Sequence, residues 1–142
     1  HTGYFNHKYI PRAGATSAQG ELNYETNYRA IRYADVLLMA AEANNRKTSA
    51  DDVKAQNYLN QVRARAFGND SKASSSTGVT LTQEIWDERR LELAMEGQRF
   101  FDLVRTGEAA TKIEGFVSGK HEVFPIPQTE IDISGLTQNS GY

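Results

Sequence analysis

Residues 81–107 read LTQEIWDERRLELAMEGQRFFDLVRTG, a stretch in which apolar residues alternate with many charged ones. Thr80 and Thr82 can cap the start of a helix, because a threonine side chain accepts a hydrogen bond from a free backbone N–H of the first turn. Gly107 stands where such a helix would end, since glycine is favoured just past a helix carboxyl terminus. We therefore predict a helix over most of this stretch, with Gly97 as the place where it can break.

The apolar residues of this stretch share one side of the predicted helix. At about 100° per residue they form an arc wider than a coiled-coil seam, so this side must face a core. The arc contains Ile85, Trp86, Leu93, Ala94, Phe100, Phe101, Leu103 and Val104. Because of its place on this arc, we predict that Trp86 packs in the core rather than stacking on a ligand.

Charged residues of both signs lie beside the apolar arc. An unpaired buried charge is costly, so we predict a structural lattice of ion pairs between residues three positions apart. The expected pairs are Arg89 with Glu92, Glu96 with Arg99, Arg99 with Asp102, and Asp102 with Arg105, and the lattice also includes Glu88 and Arg90. These eight are called the signature residues below.

Three glutamates of this set, Glu88, Glu92 and Glu96, permit a second interpretation. Paired carboxylates can hydrolyse glycosides when one of them stays protonated near neutral pH. The neighbouring arginines favour the ionised form and lower a carboxyl pKa, which opposes that chemistry. We therefore predict no catalytic residue, and a hydrolase built on these glutamates is an alternative for experiment.

Composition excludes several other classes of protein. The 142 residues suffice for one domain, which we assign to residues 1–142, and a net charge of −2 supplies no basic surface for nucleic acid. Without cysteine there is no disulfide, thiolate zinc site or thiol nucleophile. His1, His7 and His121 are too dispersed to indicate a metal site, and no glycine motif indicates a cofactor. No apolar run approaches the ~20 residues that span a bilayer.

Upstream of the central stretch, the spacing of apolar residues predicts two helices. They cover residues 27–45 and 49–67, with Ser49 as the N-cap of the second. The short link between them favours an antiparallel hairpin, and their many alanines allow close approach of the axes, as in tetratricopeptide-like pairs. The fold class is therefore mainly α, with helical hairpins and long loops.

The remaining segments carry weaker signals. Residues 68–78 are rich in serine, asparagine and aspartate, which predicts a mobile surface loop. Residues 108–116 indicate one or two helical turns, and residues 121–127 an extended strip. Pro127 suits the start of a final short helix.

Aromatic residues near the amino terminus are candidates for binding a ligand. Tyr4, Phe5 and Tyr9 lie among amide and cationic residues. Aromatic faces stack on the apolar faces of sugar rings, while amides and guanidinium groups bond the hydroxyls. The alternative is that these aromatics only pack an extended segment, residues 1–26, onto the helices.

Several motifs together resemble the SusD/RagB family of surface nutrient-binding lipoproteins from Bacteroidetes-type bacteria. They are RYADVLLM (32–39) with AEA (41–43), YLNQVRARA (58–66), ERR (88–90), EL (92–93), EG (96–97), Arg99, DLVRTG (102–107), FPIP (124–127), EI (130–131) and LTQNSGY (136–142). Order and spacing agree from about residue 28 to residue 142, although Ser140 stands where the family more usually has proline.

This resemblance implies a function that composition and periodicity do not. It implies the carboxy-terminal part of a longer protein, tethered to the outer membrane by an amino-terminal lipid that this chain lacks, with most ligand-binding aromatics outside this chain. Such a protein captures an oligosaccharide, less often a peptide, and delivers it to a SusC-like TonB-dependent transporter, without enzymatic activity or cofactor. The residues alone also allow a helical protein–protein interaction module without affinity for glycans.

Overall fold

A computed structural model of the chain describes residues 3, 6–10 and 28–142. This described part contains six helices and no strand, so the prediction of a mainly α fold is confirmed. The chain divides into two compact units, His1–Met95 and Glu96–Tyr142. The first holds α1 (Tyr33–Arg46), α2 (Asp52–Phe67) and α3 (Gly78–Glu92), and the second holds α4 (Arg99–Arg105), α5 (Ala109–Lys112) and α6 (Gln128–Ser134). None of these helices combines the length and apolarity that a membrane span requires.

The core of the first unit is made of small and branched apolar side chains from α1, α2 and α3. Its buried members are Ala34, Leu37, Leu38, Ala41, Ala55, Leu59, Val62, Leu81 and Ile85, with Tyr58 packed against them. Three alanines, Ala34, Ala41 and Ala55, are buried in this core, where their side chains add little bulk between neighbouring backbones. Burial of the leucines and of Ile85 supplies most of the hydrophobic stabilisation of this unit.

One buried asparagine joins three helix ends. The Asn45 side-chain amide, in the last turn of α1, donates to the carboxylate of Asp52 at 2.7 Å and to the carbonyl of Gly78 at 3.1 Å. Its oxygen accepts a hydrogen bond from Thr82 at 2.5 Å, and the Gly78 N–H donates to Asp52 at 2.7 Å. The carboxyl end of α1 therefore meets the amino ends of both α2 and α3, so α1 runs antiparallel to both.

The starts of the helices differ from those predicted. α1 begins at Tyr33 rather than residue 27, and Ile31 is left 68% exposed. Asp51, not Ser49, caps α2 by accepting a hydrogen bond from the Lys54 N–H. α3 begins at Gly78, one turn before the predicted caps, because Asp52 of a different helix accepts the hydrogen bond of that amide.

The central stretch is two helices, and the break between them begins at Leu93 and includes Gly97, the predicted place. α3 ends at Glu92, and the turn that follows holds Met95 and Gly97 in left-handed backbone conformations, with φ of 67° and 78°. Lys8 donates to the carbonyls of Glu92 and Ala94 at 2.7 and 2.8 Å. Because these carbonyls are satisfied from outside, the helix can stop there. A helical wheel drawn for one continuous helix therefore does not predict which residues after Glu92 share a face.

The second unit confirms the predicted stop at Gly107. The N–H of Gly107 bonds to the carbonyl of Val104, that of Glu108 bonds to Leu103, and Gly107 has a φ of 76°. This pair of bonds is the Schellman arrangement that glycine permits. Leu103 is buried as the arc predicted, but Phe101 is 60% exposed.

The later helical turns of this unit also match the sequence. One or two helical turns were expected in residues 108–116, and α5 supplies one; α6 follows Pro127 directly. The extended strip predicted for residues 121–127 is confined to residues 124–127, because residues 121–123 lie in a turn and a bend. Gln138 holds this shorter segment, since its side chain bonds both the N–H and the carbonyl of Ile126, at 2.8 and 2.9 Å.

The loop between α2 and α3 is attached to α2 rather than free of contacts. Asn60 exchanges two hydrogen bonds with the backbone of Ser74, at 2.7 and 3.0 Å. Gln56 donates to the carbonyl of Ser76 at 2.8 Å. These bonds cross 14 and 20 residues, so composition alone did not reveal them.

We predict that Asn45→Ala lowers the free energy of unfolding by about 1–3 kcal/mol, because buried partners lose their hydrogen bonds. Urea unfolding followed by circular dichroism measures this loss. Asn57→Ala, at an exposed position of α2, is the matched control and should change stability by less than about 0.5 kcal/mol. Equal stability of the two variants would contradict the role of Asn45.

Candidate functional site

Arg89 is the buried member of the adjacent arginine pair. Arg89 is 5% exposed, and its guanidinium donates a hydrogen bond to the carboxylate of Asp35, in α1, at 2.7 Å. The expected pair with Glu92, three positions away, does not form in the described structure. Arg90 instead lies exposed on the surface. Asp35, a partner of Arg89, therefore comes from another helix, and the pair ties α1 to α3.

Glu92 accepts hydrogen bonds from two arginines, one just before α1 and one in α2. Arg32, which precedes α1, and Arg65 in the last turn of α2 each reach Oε1 of Glu92 at 2.5 Å. Burial raises the pKa of the Glu92 carboxyl, but the hydrogen bonds and positive charges of the two arginines outweigh it, so the pKa lies below its ordinary value. Glu92 is thus held ionised between α1 and α2.

Arg63 makes the corresponding link from α2 to α3. It donates to Glu88 at 2.8 Å and to Glu84 at 3.0 Å. Burial raises the pKa of Glu84, but hydrogen bonds from Ser76, Ser74 and Arg63 together with the charge of Arg63 bring it below its ordinary value. The Ser76 hydroxyl contacts the Glu84 carboxylate directly, which ties the α2–α3 loop to the same ion pairs.

In the second unit, one of the predicted pairs is present. Arg105 donates to Asp102 at 2.8 Å, three positions apart on α4, and Asp102 is buried. Neither pair expected for Arg99, with Glu96 or with Asp102, forms in the described part of the chain. Glu96 is itself buried, at 8% exposure.

The signature residues of the first unit therefore contact other helices more than one another. Sequence reasoning missed Arg32, Asp35 and Arg63, since the partners lie 25 to 60 positions away in sequence. A general acid for glycoside hydrolysis needs a raised pKa, whereas that of Glu92 is lowered. The ion pairs join neighbouring helices, and their effect on Glu92 opposes the role of a general acid.

Of the aromatic candidates, Tyr4 and Phe5 lie outside the described residues. Tyr9 is half-buried and stacks on Tyr28, with ring centroids 6.0 Å apart and an angle of 7° between the planes. The ring of Trp86 is half-buried, with the Arg46 guanidinium over its face at 5.5 Å from the centroid. Its face is thus occupied by a cation of the protein itself.

An open cleft of about 540 Å³ lies between the start of α1 and the end of α2. This volume falls in the range of small-molecule sites, about 300–1,000 Å³. The lining combines an apolar floor with polar side chains: Arg32, Tyr33, Ala34, Leu37, Gln61, Val62, Ala64 and Arg65. Sequence reasoning did not single out this cleft, although its residues fall within two of the quoted motifs.

The described part of the chain is thus a helical scaffold whose helices are joined by buried ion pairs, and comparison with known proteins identifies its family. The chain matches the SusD family over residues 1–123. SusD-like protein P2 of Formosa agariphila is 39% identical over 95% of this chain and 30% of its own length. SusD-like protein P25 of the same organism is 31% identical over 84% of this chain and 26% of its own length.

The chain belongs to the SusD family, which confirms the resemblance drawn from the sequence motifs. It spans less than a third of the length of these two relatives. What the whole protein binds and where it acts is therefore a matter of proposal.

We predict that Arg89→Met lowers the free energy of unfolding by about 3–5 kcal/mol, because it leaves the Asp35 carboxylate buried without this guanidinium. Arg90→Met is the matched control at the next position, and its exposed side chain should cost less than about 0.5 kcal/mol. The double variant Arg89→Met/Asp35→Leu should recover much of the loss. An unchanged thermal melt of Arg89→Met would refute a stabilising role for the pair.

The lowered pKa of Glu92 predicts a loss of stability in acid. Its contribution is fully present above the pKa of an unfolded glutamate, about 4.3, and is lost as the pH falls through the lower folded pKa. Glu92→Gln should therefore be less stable than wild type at pH 7, with the difference shrinking below about pH 4.3. Urea unfolding at several pH values measures this, with the exposed Glu114→Gln as control. A pH-independent difference would contradict the assignment.

Proposed function

We propose that this chain is the carboxy-terminal helical domain, residues 1–142, of a lipid-anchored nutrient-binding protein on the outer-membrane surface. The protein captures an oligosaccharide and delivers it to a SusC-like, TonB-dependent transporter, without chemical change to the ligand. The observation that carries this proposal is the match to the SusD family over residues 1–123. The relatives named above are themselves described as SusD-like proteins.

Features of the first unit support a binding role over a catalytic one. The charged groups of Glu88, Arg89 and Glu92 are engaged in pairs between helices. A carboxylate held ionised by two arginines does not supply the proton that glycoside cleavage needs. What such a unit supplies is a rigid frame on which exposed side chains can meet a ligand or a partner protein.

A helical protein–protein interaction module without glycan affinity is the second candidate. The second unit favours it through large exposed apolar side chains, among them Phe101 at 60%, Phe124 at 69% and Ile133 at 81%. Exposed apolar surface is a common mark of an interaction site. Such a surface is equally suited to a transporter, so only the ligand distinguishes the two candidates.

The test is purification of the complete, lipidated protein from native membranes under conditions that keep membrane complexes intact. We expect a large outer-membrane barrel protein to co-purify, and an unrelated surface lipoprotein prepared in the same way to bring down none. Binding of the purified complex to a panel of oligosaccharides then separates the two candidates. Recovery of no barrel would contradict the proposed delivery, and a barrel without any saccharide binding would favour the interaction module.

Turnover of chromogenic glycosides tests the absence of catalysis. Wild type and Glu92→Gln should show equal, negligible rates. Measurable hydrolysis by wild type that is lost in Glu92→Gln would contradict the non-enzymatic assignment.

A further inference from the structure

We propose that the cleft between α1 and α2 binds a negatively charged sugar unit, one that carries a carboxylate or a sulfate. This inference rests on the proposed capture of an oligosaccharide and specifies the chemistry that one part of the protein recognises. The described lining of the cleft lies within the first unit and does not include Tyr9.

Arg65 is the anion-binding group of the cleft. One of its terminal nitrogens, Nη2, is held on Glu92 at 2.5 Å, while the side chain as a whole stays 60% exposed. A guanidinium has five N–H donors in a planar fork, so one bond to Glu92 leaves donors for a carboxylate or sulfate. Glu92 thereby fixes the orientation of the fork in advance, which reduces the entropy lost when an anion binds.

The charge of the cleft favours an anion over a cation. Among the described residues, its lining contains two arginines, Arg32 and Arg65, and no acidic side chain; both arginines are bonded to Glu92, which leaves one net positive charge beside the cleft. A neutral sugar would gain hydrogen bonds from these groups, whereas a carboxylate or sulfate would gain charge-assisted, bidentate bonds that are about twice as strong. Charge complementarity therefore selects the acidic sugar.

Tyr33 supplies the surface on which a sugar ring can rest. It is the first residue of α1, lines the cleft and is 71% exposed. An aromatic ring so exposed contributes little to the core, but its face can cover the apolar side of a pyranose ring. Leu37 and Val62 form the apolar floor beneath, and the exposed Gln61 offers an amide for a hydroxyl. Aromatic face, amide and guanidinium together match the three kinds of group on an acidic sugar.

The experiment is calorimetric titration of the complete protein with three oligosaccharides of matched length: tetragalacturonate, a sulfated carrageenan tetrasaccharide and neutral maltotetraose. We expect at least one anionic probe to bind, with an affinity that falls as salt is added, because salt screens exposed charges. Arg65→Ala should weaken that binding by about 10-fold or more, from the loss of charged hydrogen bonds. The two anionic probes distinguish carboxylate from sulfate.

Matched variants distinguish recognition of the sugar from the effect of positive charge alone and from an effect on folding. Arg65→Lys keeps the charge but loses the fork, so it should recover only part of the affinity. Tyr33→Ala should weaken binding by about fivefold, and Tyr33→Phe, which keeps the ring, should not. Lys54→Ala removes one exposed positive charge near the other end of α2 and should leave binding unchanged.

The outcomes also distinguish this inference from the proposed function. Binding of maltotetraose alone, or of an anionic probe with the same affinity in Arg65→Ala, would overturn the anionic cleft and leave oligosaccharide capture intact. No binding of any saccharide would overturn both. Loss of stability in Tyr33→Ala without loss of anion binding would show that another part of the complete protein covers the cleft, and would also overturn the inference.

Discussion

The pairing of Arg89 with Asp35 is the constraint on which the first unit depends. Two opposite charges, each at least nine-tenths buried, meet between α1 and α3 at 2.7 Å. A shift of one helix along the other would separate the two charges and leave each in the interior without this partner. The free-energy cost of that separation is much larger than the stabilisation that a surface ion pair provides. Burial of Leu38 and Ile85 drives the helices together, but the hydrophobic effect has no preferred direction. The position of one helix along the other is therefore selected by the charged pair.

Polar contacts at the two ends of the helices also fix the position of one helix along another. Asn45 joins the ends of three helices on one side, while Glu92 collects Arg32 and Arg65 on the other. Arg65 is bonded to Glu92 there, and its exposed side chain also lines the cleft. A contact that stabilises the fold thus also orients an exposed group.

Local signals in the sequence predicted most helices, and distant contacts account for the errors. The period of apolar residues located α1 and α2, and Gly107 and Pro127 marked real helix boundaries. The end of α3 depends on Lys8, 84 positions away, and the partner of Arg89 stands 54 positions away. A search for pairs within one helix cannot find such partners. The charged residues at the start of α1, Arg32 and Asp35, were the available clue.

Burial explains why the ion-paired residues of the motifs say little about the ligand. Asp35, Glu88 and Arg89 are buried and bonded to other helices, so their polar groups serve the fold. A ligand can be recognised only by groups that still reach solvent, such as the exposed Tyr33 and Arg65. Two proteins can therefore share the paired residues, and with them the fold, while they differ in the exposed residues and in the sugar that they bind. Specificity is to be sought in the exposed side chains that the ion pairs hold in place.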